Sequence, residues 1–139
     1  MDYIEELRDA LGPEKVLTAD FERFVYSTDW SVRTKEEMSP PDVVILPRTT
    51  EDVVKTVKVA YEHRVPITPG GGLTGMAGGA VPLHGGIYLD MTSMNDQLEV
   101  DWKNQVIRVQ AGRTLQEVND VLEPKGFWFP CLPESKWAC

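Results

Sequence analysis

Residues 69–79 read Pro-Gly-Gly-Gly-Leu-Thr-Gly-Met-Ala-Gly-Gly, and no other stretch of the chain is as well suited to holding a ligand by its backbone. Between Pro69 and Gly86, glycine stands at 70, 71, 72, 75, 78, 79, 85 and 86, with Pro69 and Pro82 as further breakers. Glycine at this density loses backbone entropy on ordering and contributes no side-chain packing. What it offers is access. Consecutive N–H groups can converge on one point, and a ligand can approach them without side-chain obstruction. Such a nest suits a diphosphate, with Thr74 as an additional hydroxyl donor. The competing reading is a flexible loop that binds nothing.

Two other phosphate loops are tested against the same residues. A Walker loop needs Lys followed by Ser or Thr after its last glycine, and no lysine occurs between Lys58 and Lys103. That sets aside a nucleotide-triphosphate hydrolase or kinase. Gly70, Gly72 and Gly75 spell G-x-G-x-x-G, and Asp90 stands near the distance expected of a ribose-binding acid. The dinucleotide fingerprint must open a helix, however, and Met76–Gly86 holds four glycines and a proline. A non-helical glycine nest remains.

The other reactive residues are sparse. Cys131 and Cys139 lie near the C-terminus without histidines at zinc spacing, and read as free thiols. His63 and His84 are isolated, and neither is nominated as a general base. The net charge of −8 argues against a nucleic-acid partner and means that any phosphate is held by local geometry against an unfavourable overall field. Hydrophobic residues make up 42% of the 139 and charged residues 26%, the balance of a globular chain able to bury a core unaided. No apolar run approaches the length of a membrane span, and Met1–Ala10 has four acids where a secretory signal would be basic and apolar. A cytoplasmic protein without membrane insertion is the expectation.

The elements around the loop follow from periodicity. Met1–Leu11 reads as a helix with Ile4, Leu7 and Leu11 on one face, stopped by Gly12-Pro13. Asp20–Tyr26 reads as a second helix, with Phe21, Phe24 and Val25 inward, and Ser31–Pro41 as an irregular excursion. Val43–Leu46 is an apolar run expected of a strand buried on both faces. Thr49 or Thr50 caps a helix with a stripe of Val53, Val54, Val57, Ala60 and Tyr61. Val65–Thr68 completes a βαβ unit with parallel strands, and Ile87–Asp90 returns to strand after the glycine loop. Gln97–Trp102 and Gln105–Ala111 form a hairpin turning at Lys103-Asn104. Thr114 with Glu117 makes a capping box for a helix burying Leu115, Val118, Val121 and Leu122, stopped near Gly126. Phe127–Phe129 is expected as a last strand. The fold class is α+β: a small βαβ-containing subdomain with parallel strands, a further small sheet, and helices packed outside.

Read in order, several segments resemble the FAD-binding domain of the p-cresol methylhydroxylase and vanillyl-alcohol oxidase superfamily, in its D-lactate dehydrogenase and glycolate oxidase large-subunit branch. They are Tyr26-Ser27-Thr28-Asp29, Pro41-Asp42-Val43-Val44, Pro47, Thr50-Glu51-Asp52-Val53 and Pro66 to Gly75. Gly85-Gly86-Ile87, Met94-Asn95, Val109-Gln110-Ala111-Gly112, Gly126, Phe129-Pro130 and Pro133-Glu134-Ser135 complete the series. No single piece is specific; their ordered sum covers nearly the whole chain.

The resemblance implies a single FAD-binding subdomain over 1–139, with 1–40 as an N-terminal helical extension and the family's remaining FAD and substrate domains absent. It implies that Gly70, Gly71, Gly72, Leu73, Thr74 and Gly75 wrap the pyrophosphate through backbone N–H groups, and that Gly78 and Gly79 continue the cradle. Pro47 would pack near the adenine, although a plain strand terminator is an equal reading, and Pro133 and Ser135 would approach the flavin side. Two departures change the chemistry: Pro69 stands where many members have arginine, and Leu73 where covalently flavinylated members have histidine, so FAD is expected to be non-covalent. The family reaction is two-electron oxidation of a 2-hydroxy acid such as D-lactate or glycolate, and the implied chain is not competent for it alone. Its partners would be FAD and either a second copy or a missing half or subunit. The alternative is a non-catalytic remnant that has lost the cofactor and acts as a dimerising module.

Overall fold

The computed structural model describes residues 2–34, 37–131 and 133–139. Helix α1 (Tyr3–Leu11) begins where Asp2 accepts from the amide of Ile4 and ends at Gly12, whose φ of 93° suits glycine. Strand β1 (Val16–Leu17) and helix α2 (Asp20–Val25) follow. Strand β2 (Val43–Ile45) is completely buried, as its unbroken apolar run requires. Helix α3 (Thr50–His63) starts from a Thr49 cap, with Thr49 and Asp52 bonding each other's backbone. Strands β3 (Ile67–Gly70) and β4 (Ile87–Asp90) bracket the glycine loop. The hairpin β5 (Leu98–Asp101) and β6 (Val106–Val109) and helix α4 (Leu115–Leu122) complete the order.

The main sheet has the order β1-β2-β4-β3, with β2, β4 and β3 parallel and β1 antiparallel at one edge. Leu7, Leu11, Val16, Val43, Ile45, Val59, Ala60, Ile87 and Leu89 form the core between sheet, α1 and α3. β5 and β6 pair as a separate two-stranded antiparallel sheet, Leu98 opposite Val109. The α+β class with parallel strands and a second small sheet is therefore observed.

Several expectations need correction. The βαβ strands β2 and β3 run parallel but are not neighbours, because β4 inserts between them. The buried line of α3 is Asp52, Thr56, Val59 and Ala60, while Val54, Val57 and Tyr61 are exposed. Polar residues occupy half that line because each has an internal partner: Thr56 Oγ1 donates to the Asp52 carbonyl, and the Asp52 carboxylate accepts from Lys15 Nζ at 2.8 Å. Phe21, Phe24 and Val25 are exposed rather than inward. The short α2 is held instead by polar links, from the Ala19 amide to Glu22 and from Arg23 to the Pro41 carbonyl. Val121 is also exposed, its place in α4 taken by buried Asn119, whose side chain accepts from the Phe129 amide. That bond occupies Phe129, and Phe127–Phe129 forms no strand. The irregular 31–41 segment is seen apart from residues 35 and 36, which lie outside the described residues.

Asp52 supplies a pH-dependent part of the stability. Burial would raise its pKa, but Lys15 and the amides of Arg48 and Thr49 outweigh burial and hold it at about 2 against 3.8. A folded-state pKa below the unfolded one stabilises at neutral pH, and that share is lost as pH falls from about 3.8 through about 2. Asp52→Asn is expected to lower stability at pH 7 by roughly 2 kcal/mol and to flatten the acid limb in that window. Urea unfolding at pH 7 and pH 3 checks this; an acid limb matching wild type would contradict it.

Candidate functional site

Parallel strands place the carboxyl ends of β2, β4 and β3 along one sheet edge, in register at Ile45, Leu89 and Pro69. Ligands of open parallel sheets gather outside such edges. With neighbouring strands about 4.8 Å apart, the exits of β2 and β3 are roughly 10 Å from each other. Pro47 leaves β2 and the glycine loop leaves β3 on either side of the β4 terminus at Asp90.

The loop is pinned at both ends. At its start, a Cβ on Gly70 would overlap the Tyr88 hydroxyl, so only glycine lets β3 close over that side chain. Tyr88 is fully buried, and its ring centroid lies 4.7 Å from that of Tyr26. Tyr26 Oη donates to Asp90 Oδ2 at 2.7 Å, and Asp90 Oδ1 accepts from the amide and hydroxyl of Thr92. Burial, then the nearby Asp90 and Asp29, push the Tyr88 pKa up to about 12, so it stays a neutral hydroxyl. At the other end Val81 and Pro82 are buried. Asp90 is buried, and its carboxylate is held inward by Tyr26 and Thr92.

Between these anchors the segment is bends and turns with no helix. Among the described residues, no backbone amide from Gly71 to Gly79 donates to a carbonyl or side chain of the protein. Leu73 holds a left-handed φ of 56°, which costs a non-glycine residue about 1–2 kcal/mol. Strain of this kind is tolerated where a loop must present consecutive amides to one side. Gly71 and Gly79 face open space, where an added Cβ would meet no atom within 4 Å.

The remaining sequence-derived candidates divide. Pro47 is fully buried at the β2 exit. Gly72 packs against the Ala138 carbonyl, which brings the C-terminal turn beside the loop. Within that turn Ser135 Oγ bonds Cys139 Sγ at 3.4 Å, while Pro133 is exposed. The carbonyls of Cys139 and Lys136 accept the first amides of α4, from Leu115 and Gln116, so that helix terminus is already satisfied. Cys131 and Cys139 are free thiols, and His84 is exposed.

Beneath the loop lies a group the glycine reading did not nominate: buried Asp29 faces Gly75, with its Oδ2 3.7 Å from where a Gly75 Cβ would stand. Burial opposes its charge, but bonds from the Ser31 hydroxyl and amide to Oδ1, with the Ala80 amide and Arg33 nearby, keep its pKa below the usual range. Asp29 falls within a segment of the resemblance, but nothing in residue spacing ties it to the loop.

Cavities among the described residues lie elsewhere, two of them sizeable. One of about 310 Å³ is walled by Val100, Trp102, Ile107, Leu122, Phe127 and Trp128, and another of about 610 Å³ runs along α3 and β3. Neither includes a residue of the 69–86 loop. Among the described residues no His, Cys, Asp and Glu group could hold a metal ion, and no helix is long and apolar enough to cross a membrane.

Known proteins are similar to this chain in sequence and in fold. The FAD binding domain family matches residues 41–139. Glycolate oxidase subunit GlcD of Bacillus subtilis is 37% identical over 134 residues, covering 96% of this chain. D-lactate dehydrogenase of Anaerostipes hadrus is 32% identical over 142 residues, covering 99%. The chain spans 28% of the length of each of these relatives. Among solved structures, alkyldihydroxyacetonephosphate synthase superposes with a TM-score of 0.83 at 26% identity, covering 96% of this chain and 29% of that one. Substrate-bound p-cresol methylhydroxylase superposes with a TM-score of 0.76 at 23% identity, covering 88% of this chain and 24% of that one, a likeness of fold. With a glycine loop of uncommitted amides at the parallel edge and these matches along nearly all its length, the chain belongs to the FAD binding domain family, in its p-cresol methylhydroxylase and vanillyl-alcohol oxidase type of fold.

Proposed function

We propose that the chain binds FAD non-covalently, holding the diphosphate on the amides of Gly70–Gly75 with Gly78 and Gly79 continuing the cradle. Pro47 packs near the adenine, and the Pro133–Ser135 turn faces the flavin side. The observation that carries the reading is the row of amides from Gly71 to Gly79 without an internal acceptor, on a loop anchored at Tyr88 and Pro82. Preorganised neutral donors of this kind bind an anion without a basic side chain in the loop itself. The fit is supported further by the open faces of Gly71 and Gly79, where backbone meets solvent. Leu73 has no atom able to bond a flavin covalently.

The cofactor, when bound, supplies two-electron redox chemistry at its ring, and the protein supplies position. The similarity to glycolate oxidase and D-lactate dehydrogenase supports a place in an oxidoreductase of 2-hydroxy acids, this chain carrying the adenine and pyrophosphate portion. Titrating FAD into the purified chain is expected to change flavin fluorescence saturably, and acid denaturation to release all flavin. A flat titration would contradict the reading.

One observation favours a second role. Trp102, Phe127, Trp128 and Phe129 leave apolar surface exposed around the 310 Å³ cavity, and contiguous apolar surface favours association. A dimerising module without cofactor would give a colourless dimer on size-exclusion chromatography.

A further inference from the structure

We propose that Arg33 is a side-chain member of the same anion site and supplies the cation that the glycine loop lacks. The inference rests on the diphosphate reading above and adds a residue to it. From Pro66 to Leu83 the chain has no Lys, Arg, Asp or Glu. The charges buried at the base of the loop, Asp29 and Asp90, are both negative, and both bear on the Tyr88 hydroxyl under Gly70. A diphosphate placed on the loop therefore meets two carboxylates in a partly desolvated setting, where like-charge repulsion is poorly screened. Neutral amides alone leave that repulsion uncompensated.

Arg33 enters from a distant segment and reaches the loop at Gly78. A Cβ on Gly78 would overlap Arg33 Nη2, and Gly78 holds a φ of 76° that favours glycine. The guanidinium thus lies against the loop backbone at a place only glycine allows. Its orientation is set from the other edge. Arg33 Nε donates to Ser31 Oγ at 3.0 Å, and the Ser31 hydroxyl and amide donate to Asp29 Oδ1. This relay fixes the Nε side through a buried carboxylate. Among the described residues, neither Nη atom has a hydrogen-bond acceptor or a carboxylate at ion-pair distance. A planar fork with one edge anchored and the other unused suits two oxygens of a phosphate group. Asp29 is then a positioning residue, acting on the ligand through Ser31 and Arg33.

The competing view is that Arg33 only balances the charge of Asp29. Calorimetric titration with ADP and with adenosine separates the two, because only ADP carries the diphosphate. Arg33→Gln is expected to weaken ADP binding about tenfold, the size of one charge-assisted hydrogen bond, and to leave adenosine binding within about twofold. Arg33→Lys keeps the charge and loses the fork, and is expected to weaken ADP by about threefold. Should Arg33→Gln fail to fold, the lysine variant decides alone. ADP binding equal to wild type in the variants overturns the role of Arg33 and leaves the loop reading standing. No binding of ADP by the wild-type chain overturns the loop reading and Arg33 with it.

Discussion

Gly71→Ala is expected to unfold at the wild-type temperature and to weaken FAD binding roughly 30-fold or more, the loss of about 2 kcal/mol. The two halves of this expectation come from the same fact. A methyl group at position 71 meets nothing within 4 Å, and Gly71 does not hold a positive φ, so the folded chain has no reason to resist it. That open space is where the proposed site places the diphosphate against the backbone. A methyl there holds the ligand away from amides whose bonds to an anion depend steeply on distance and angle. Gly70→Ala and Gly72→Ala would be poorer probes, since their methyl groups overlap Tyr88 and the Ala138 carbonyl and disturb the fold as well. A thermal melt and a fluorescence titration on the Gly71 variant check the expectation. Unchanged affinity would place the ligand elsewhere.

Gly86→Ala is expected to do the reverse, destabilising the fold by about 3 kcal/mol, which lowers the melting temperature of a domain this size by roughly 10 °C. Gly86 sits where β4 begins, at a φ of 74°. A Cβ there would overlap the Pro66 carbonyl and lie 2.7 Å from Pro66 Cγ. The backbone cannot yield, because it is bonded on both sides. The Gly86 carbonyl accepts from the amides of Asp42 and Val43, and its own amide donates to Asp42 Oδ2. The Ile87 amide donates to the Pro66 carbonyl. Gly86 thereby ties the entries of β2, β3 and β4 together, and loosening it would shift the sheet edge that carries the loop. Differential scanning calorimetry measures the effect; a melting temperature within about 2 °C of wild type would show that the strand entries absorb the methyl freely.

These two glycines mark what the sequence discloses and what it withholds. Local chemistry is legible. Thr114 and Glu117 announce a capping box, and the structure has it; Val43–Ile45 announces a strand buried on both faces, and it is. The glycine density of 69–86 announces a non-helical loop, and the loop is non-helical. Non-local choices are not legible. β1 is two residues long, too short for any periodicity, and it is defined only by pairing Val16 with Ile45. The insertion of β4 between β2 and β3 is a matter of topology that no window along the chain contains. The buried line of α3 is legible at Ala60 but not at Thr56 and Asp52, which read as polar and whose suitability for the interior depends on Lys15 and on the helix backbone. The approach of Asp29 and Arg33 to the loop is of the same kind: it exists only once the chain has folded.

The most direct test of the account follows the backbone amides themselves. In a ¹H–¹⁵N correlation spectrum of the labelled chain, titration with ADP is predicted to shift the amides of Gly71, Gly72, Leu73, Thr74 and Gly75 first and most. Shifts confined to the Trp102 and Trp128 surface, with those five amides unmoved at saturation, would contradict it.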